Sequence, residues 1–146
     1  MNHLAIKSAL ATTAAVGLIA GAGAAAHASS NAEFISKTVT RSATHRIAYV
    51  KMTVECSDDT DSAVLSVRLT QVTPAGTVQQ ATGSVLSIGA FECTGDPETV
   101  TVPVRRPVGG FNWQAGAAVA DHGVFATHDP SGNYLSFVPK TTVTIK

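Results

Sequence analysis

The sequence is poor in charge, and this shortage excludes partners that are held mainly by electrostatic attraction. Charged residues make up 14% of the chain, against about 25% in average proteins. Basic and acidic residues are equal in number, with ten of each. Nucleic acids and anionic membranes are bound through an excess of positive charge. The composition therefore predicts no nucleic-acid partner and, for the mature chain, no membrane partner.

The sequence also lacks a helical stripe, an internal repeat and a proline-rich linker. Valine and threonine each occur 16 times after Ser29, whereas leucine is scarce and few residues favour helix. An excess of β-branched residues favours strands, because these side chains pack well on a pleated surface. These features predict a single all-β unit.

The N-terminus has the pattern of a secretory signal. Residues 1–7 carry one positive charge, and residues 9–26 form an apolar run without charge. The run ends in the triplet Ala-His-Ala, and a small-x-small triplet in this position is typical of a cleavage site. We therefore expect a signal peptide over residues 1–28 and one secreted, extracellular domain over residues 29–146. An uncleaved anchor is the alternative, because 18 apolar residues can just span a bilayer.

The chain has only two cysteines, Cys56 and Cys93. Apolar residues occupy the even positions from 48 to 56, which predicts that the first cysteine ends a half-buried strand. The second cysteine ends the run 85–93, in which Gly89 predicts a bulge or bend. Two cysteines in a small secreted chain favour one disulfide over a metal or redox site. The bond would join two strands across a core and contribute about 4 kcal/mol; two free buried thiols are the alternative.

Further alternating segments follow at regular spacing along the mature chain. The clearest predicted strand covers residues 63–72, and a turn over residues 73–76 predicts a hairpin partner from Thr77 to about Ser87. The buried side of the first strand is expected to hold Ala63, Leu65, Val67 and Leu69. Seven or eight short strands at this spacing predict an immunoglobulin-like sandwich of two sheets with one disulfide. A small open β-barrel is the alternative.

Three further positions refine this prediction. Pro103 interrupts the alternating valines of residues 100–104, so this segment is expected at a sheet edge or strand end. Phe111 and Trp113 are expected in the core rather than on a platform for polysaccharide. Trp113 follows both cysteines, whereas an immunoglobulin domain places its tryptophan between them. The chain is therefore not a true immunoglobulin domain by this criterion. Residues 134–145 are expected to contain the closing strand.

Several of these segments occur together in a recognisable order. They are the strand ending in Cys56, the strand 63–71, Gly83-Ser84, Cys93-Thr94-Gly95, the Val-Thr-Val strand and the run 111–116. In this order they resemble an uncharacterised family of secreted actinobacterial β-sandwich proteins. The resemblance covers most of the mature chain and implies a signal peptide, one disulfide and no assigned activity.

The acidic residues cluster around the cysteines in the sequence. Seven of the ten lie within five positions of a cysteine: Glu55, Asp58, Asp59, Asp61, Glu92, Asp96 and Glu98. A disulfide would gather them at one end, where carboxylate and carbonyl oxygens could hold calcium or receive a cationic partner. The candidate cation-binding residues are Asp58, Asp59, Asp61, Glu92 and Asp96. No other cofactor is predicted. Ordinary solvated loops are the alternative, because exposed like charges barely repel beyond a Debye length of roughly 8 Å.

The sequence offers no catalytic arrangement. A Gly-x-Ser-x-Gly elbow is absent, and no helix is predicted to support one. His122 and His128 share strand parity, so they are either a metal chelate on one face or surface histidines. We predict no catalytic residues and a secreted, non-catalytic binding or surface-interaction module whose partner is an unidentified protein or cell-surface component. A small secreted hydrolase or hydrolase inhibitor is the alternative.

Overall fold

A computed structural model describes residues 30–146, and nine strands make up most of this region. The predicted signal peptide over residues 1–28 lies outside the described residues. The strands are β1 (Asn31–Phe34), β2 (Thr38–Arg41), β3 (Ile47–Glu55), β4 (Ser62–Val72), β5 (Val78–Leu86), β6 (Glu98–Arg105), β7 (Gly116–Asp129), β8 (Gly132–Val138) and β9 (Thr141–Ile145). A single turn, α1 (Ser87–Ala90), follows β5. The all-β prediction is confirmed, with nine strands in place of seven or eight.

The strands form two facing layers that one strand connects. Sheet A contains β1, β2, β3 and β6, and sheet B contains β4, β5, β7, β8 and β9. Strand β2 belongs to both, because Thr40 pairs antiparallel with Tyr49 of β3 and Val39 pairs parallel with Ile145 of β9. Hydrogen bonding therefore continues from one layer to the other along this side of the sandwich.

On the opposite side, β5 of sheet B lies directly against β6 of sheet A. A Cβ atom built on Gly83 would lie 2.4 Å from the backbone oxygen of Pro103. Only glycine permits two backbones to approach this closely. Strand β6 pairs with β3 alone, so the edge position predicted from Pro103 is confirmed.

The core fills the space between the two sheets. The predicted inward side of β4 is confirmed, since Ala63, Leu65, Val67 and Leu69 are buried. Trp113 is also fully buried, and its Nε1 donates a hydrogen bond to the Val104 backbone oxygen at 3.0 Å. This contact satisfies the indole donor, as a buried tryptophan requires. The core position predicted for Trp113 is therefore confirmed, whereas Phe111 is only partly buried and lies outside the core cluster.

The two cysteines are bonded, as predicted. Cys56 directly follows β3, but the prediction that Cys93 ends a strand is wrong. Strand β5 ends at Leu86, and the backbone then turns at Ile88 (φ −70°, ψ 100°) and Gly89 (φ 86°, ψ −3°). These angles are close to a type II turn, whose second corner favours glycine. The bend predicted at Gly89 is thus confirmed, and the disulfide joins β3 to the connection between β5 and β6.

A bulge interrupts β7 opposite the middle of β4. Ser66 pairs with Val124, but Arg68 pairs with Asp121, so two residues of β7 oppose one of β4 between these pairs. The extra residue is accommodated by His122, whose φ is 46°. Such a bulge exchanges the inward and outward positions along the strand. The position of Asp121 beside Arg68 depends on it.

Candidate functional site

The disulfide brings two acidic loops together at one end of the sandwich. The Gly95 backbone N–H donates to the Cys56 oxygen at 2.9 Å, which fixes the second loop against the first. All five candidate cation-binding residues are exposed on these loops: Asp58, Asp59, Asp61, Glu92 and Asp96. An open groove of about 730 Å³ lies beside the second loop and is lined by residues of 87–98.

The acidic loops satisfy part of their hydrogen bonding internally. Ser57 Oγ donates to the Asp59 carboxylate, and Glu98 Oε2 accepts from the Glu92 backbone N–H at 2.8 Å. Within residues 30–146, no three His, Cys, Asp or Glu side chains are grouped closely enough to hold one metal ion. The calcium interpretation therefore stays a prediction from the sequence. The serine of the groove, Ser87, accepts a hydrogen bond from the Ala63 backbone at 3.0 Å.

The opposite end of the sandwich is basic. Arg46, Arg105 and Arg106 line a groove of about 260 Å³, and none of the three pairs with a carboxylate among residues 30–146. Arg41 is held at the same end, because its Nη1 donates to the Trp113 oxygen at 2.9 Å. A balanced overall charge thus conceals separation of the charges between the two ends. This separation is not apparent from the sequence, since the basic residues come from distant segments.

His122 and His128 do not form the metal chelate that their spacing in the sequence allowed. His122 and His128 are both exposed, and six residues of strand separate them by about 20 Å. Such a distance prevents both rings from binding one ion. His128 Nδ1 instead contacts Asn133 Oδ1 at 2.9 Å. Both residues are therefore surface histidines, which was the second interpretation of their positions.

The outer faces of the two sheets differ in charge. The outward side chains of sheet A include the charged residues Glu33, Lys51, Glu55 and Arg105. The outward side chains of β4, β5, β7 and β8, which we call the sheet B face, include two charged residues, Arg68 and Asp121, besides the exposed His122 and His128. Arg68 and Asp121 neutralise each other, so these strands contribute no net charge; the charge of Lys140, on the connection between β8 and β9, also acts on Asp121.

The ion pair on the sheet B face is well formed. Arg68 Nε donates to Asp121 Oδ1 at 2.8 Å, and Nη2 donates to Oδ2 at 3.1 Å. The hydrogen bonds from Arg68 hold the pKa of Asp121 below its ordinary value, and they raise the pKa of Arg68. The side chains of Arg68 and Asp121 are 30% and 15% exposed, respectively. Bidentate geometry and partial burial make the pair a fixed feature of the face.

Apolar side chains occupy many other outward positions of this face, although Ser66, Thr70 and Thr82 are the nearest outward neighbours of Arg68. The apolar residues are Val64, Val72, Val78, Leu86, Ala117, Val119, Val124, Ala126, Leu135 and Phe137. The most exposed of the large ones in the central rows are Leu86 at 56%, Leu135 at 63% and Phe137 at 72%. Strand pairing aligns Leu86, Val64, Ala126 and Leu135 in one row across four strands. Exposed apolar side chains that are grouped in this way commonly mark an interaction site.

The apolar residues of this face are not apparent as a surface from the sequence. The predicted closing segment 134–145 is in fact two strands, β8 and β9. Alternation alone would turn Leu135 and Phe137 inward as the large apolar residues of β8, yet Val138 is the buried residue. Val138 packs on Gly123, where a Cβ atom would lie only 2.6 Å from the Cβ of Val138. This contact fixes the outward orientation of the alternate positions.

Neither a family model nor a curated protein matches the chain. Within residues 30–146, no helix is long and apolar enough to cross a bilayer. The geometry of the molecule itself therefore carries the functional argument.

Proposed function

We propose that the protein is a secreted, non-catalytic binding module that holds a protein partner on the sheet B face. The observation that carries this proposal is the combination of exposed apolar side chains with a single, internally neutralised ion pair. A surface without net charge favours a partner surface that is likewise apolar and uncharged, because an unpaired charge on the partner would lose its hydration on binding. An immunoglobulin-like arrangement and extracellular localisation belong to the same proposal. The disulfide supports the localisation.

The exposed side chains are large enough to contribute useful binding energy. Full burial of a leucine or phenylalanine side chain stabilises a complex by about 1.5–3 kcal/mol. More than half of Leu86, Leu135 and Phe137 is accessible, so each can contribute about 1–2 kcal/mol when a partner covers it. A few such residues commonly dominate the affinity of an interface.

Site-specific photo-crosslinking of the secreted protein tests this proposal. A photoreactive amino acid replaces Ser84 on the sheet B face or Thr101 on sheet A, and the culture medium of the producing cells is irradiated. We expect a discrete adduct from position 84 and none from position 101. The adduct's partner is then purified, and its affinity is measured by calorimetry. Phe137→Ser should weaken binding at least tenfold, whereas Val108→Ser, a change at an exposed apolar residue outside the face, should not.

The hydrolase alternative has its own test. The secreted protein is assayed against a broad panel of esters, peptides and glycosides, and no turnover is expected. Turnover that disappears on Ser87→Ala or His128→Ala would contradict a non-catalytic role. Intact mass of the same preparation shows whether the mature chain begins at Ser29.

A further inference from the structure

We propose that the partner of the sheet B face is a second copy of this chain, in a dimer whose twofold axis runs along the strands between β4 and β7. This inference rests on the proposed function, because it names the occupant of the same face. Three properties of the face support it: the positions of its two charges, the match of its apolar rows and its area.

The charges become complementary under this rotation. Arg68 of β4 lies directly opposite Asp121 of β7 in the sheet. A rotation of 180° about an axis between these strands exchanges their positions in the facing copy. Arg68 then faces the partner's Asp121, and Asp121 faces the partner's Arg68. Two ion pairs join into one network of alternating charge at the centre, and each of the four side chains in these pairs lies beside an opposite charge.

The apolar rows also match under the same rotation. The row that contains Leu86, Val64, Ala126 and Leu135 meets the same row of the partner in reverse order. Leu86 therefore lies over the partner's Leu135. In the next row, Phe137 and Ser84 occupy corresponding outer positions, so the large ring lies over the partner's small serine. An isologous interface requires this self-complementarity.

The face is large enough for a stable dimer. Strand β4 has 11 residues, which span about 36 Å at the usual rise per residue, and four strands are about 19 Å wide. The product is about 700 Å² per copy, close to the ~800 Å² per partner of standard interfaces. Facing sheets pack about 10 Å apart and cross at about 30°. The facing residues nearest the axis therefore stay best aligned with each other, and these include the ion pairs.

Sedimentation velocity of the secreted protein between about 5 and about 500 µM tests the dimer. We expect the mass to double across this range. Phe137→Asp should raise the dissociation constant at least tenfold, and Val108→Asp, the same kind of change at an exposed residue outside the face, should leave it unchanged. A dimer that is unaffected by Phe137→Asp would overturn the inference, because another surface would then hold the copies together.

Exchanging the charges at Arg68 and Asp121 distinguishes ion pairs between two copies from an ion pair that acts only within one copy. Arg68→Asp and Asp121→Arg each place like charges opposite each other, so each variant alone should be monomeric. In an equimolar mixture, the face with two acidic side chains would meet the face with two basic ones, and a heterodimer should form. The double variant R68D/D121R restores the pair within one chain and should dimerise like the native protein, which keeps the test valid if a single variant folds poorly.

The outcomes separate this inference from the proposed function. If the native protein stays monomeric at the highest concentration, or if the mixed variants fail to associate, the dimer is refuted. Binding of a different protein, with dependence on Phe137, would then leave the binding module in place. If no partner of either kind contacts position 84, the proposed function fails as well.

Discussion

The inner and outer surfaces of the sandwich follow different rules, and the two outer faces differ again from each other. Inward positions of both sheets are almost uniformly apolar and buried, as a common core requires. Outward positions of sheet A include four charged side chains, whereas the sheet B face has only the pair Arg68 and Asp121. The fold does not need apolar residues outside. Their concentration on one face is therefore not explained by stability, and it is the basis of the proposed binding role.

The largest expected effect comes from cutting the covalent link between the sheets. Cys56 follows a strand of sheet A, and Cys93 lies on the connection that leaves sheet B. Replacing both cysteines with alanine should lower the free energy of unfolding by about 4 kcal/mol, because the unfolded chain regains the freedom of the closed loop. Urea unfolding measures the change, with reduced native protein as the matched comparison. An unchanged midpoint would show that packing alone holds this end.

The next effect compares two leucines of the same sheet. Leu65 points inward and is fully buried, whereas Leu135 points outward and is 63% exposed. Leu65→Ala should cost about 2–5 kcal/mol, because it removes buried contacts and leaves a cavity. Leu135→Ala should change stability by less than about 0.5 kcal/mol, as surface substitutions usually do, but should weaken association through the face. Equal losses from the two variants in urea unfolding would show that the sheet B face is part of the folding core.

The alternation of apolar residues was sufficient to predict the inward side of β4. The turn over residues 73–76 also predicted the pairing of β4 with β5, which is confirmed. Pairing between strands that are distant in the chain could not be predicted, because it depends on contacts that alternation does not show. Strand β2 shows this, since its four residues are divided between two sheets. The prediction that a strand reaches Cys93 was wrong for a local reason, because the positive φ of Gly89 turns the backbone away from the strand direction.

The candidate site was harder to predict than the fold. Continuing the register of Ser66 and Val124 without a bulge would place Arg68 opposite His122 rather than Asp121. The ion pair therefore depends on one extra residue in β7, and no periodic pattern shows where a bulge falls. The exposure of Phe137 depends likewise on the packing of Val138 against Gly123. The proximity of the two acidic loops, in contrast, could be predicted from the sequence, because the disulfide brings them together.

A smaller effect is expected where the edges of the two sheets meet. Gly83→Ala would place a methyl group against the Pro103 backbone oxygen, and backbone cannot move aside as readily as a flexible side chain. Overpacking of this kind costs about 1–3 kcal/mol. Ser84→Ala is the matched control, because Ser84 is the exposed neighbour on the same strand, and it should change stability by less than about 0.5 kcal/mol. Thermal unfolding of both variants checks the difference; equal melting temperatures would mean that the strands can separate at this point without cost.

The smallest effect concerns the ion pair that distinguishes the sheet B face, and it is a dependence on pH. Hydrogen bonds from Arg68 hold the pKa of Asp121 below its ordinary value of 3.8. A carboxylate whose pKa is lowered by folding stabilises the folded state above its unfolded pKa, and this contribution is lost as the pH falls through the lower, folded pKa. The native protein should therefore lose part of its stability below about pH 3.8.

Asp121→Asn removes the titrating group, so the difference between its unfolding free energy and that of the native protein should shrink as the pH falls. Asp129, whose pKa is lowered by hydrogen bonds from Ser131, titrates in both proteins and cancels in this difference. Arg68→Gln removes the charged donor and should flatten the profile in the same way. A difference that stays constant down to about pH 2 would show that the pair contributes nothing to folding, and the charge neutrality of the face would then have to be explained by association alone.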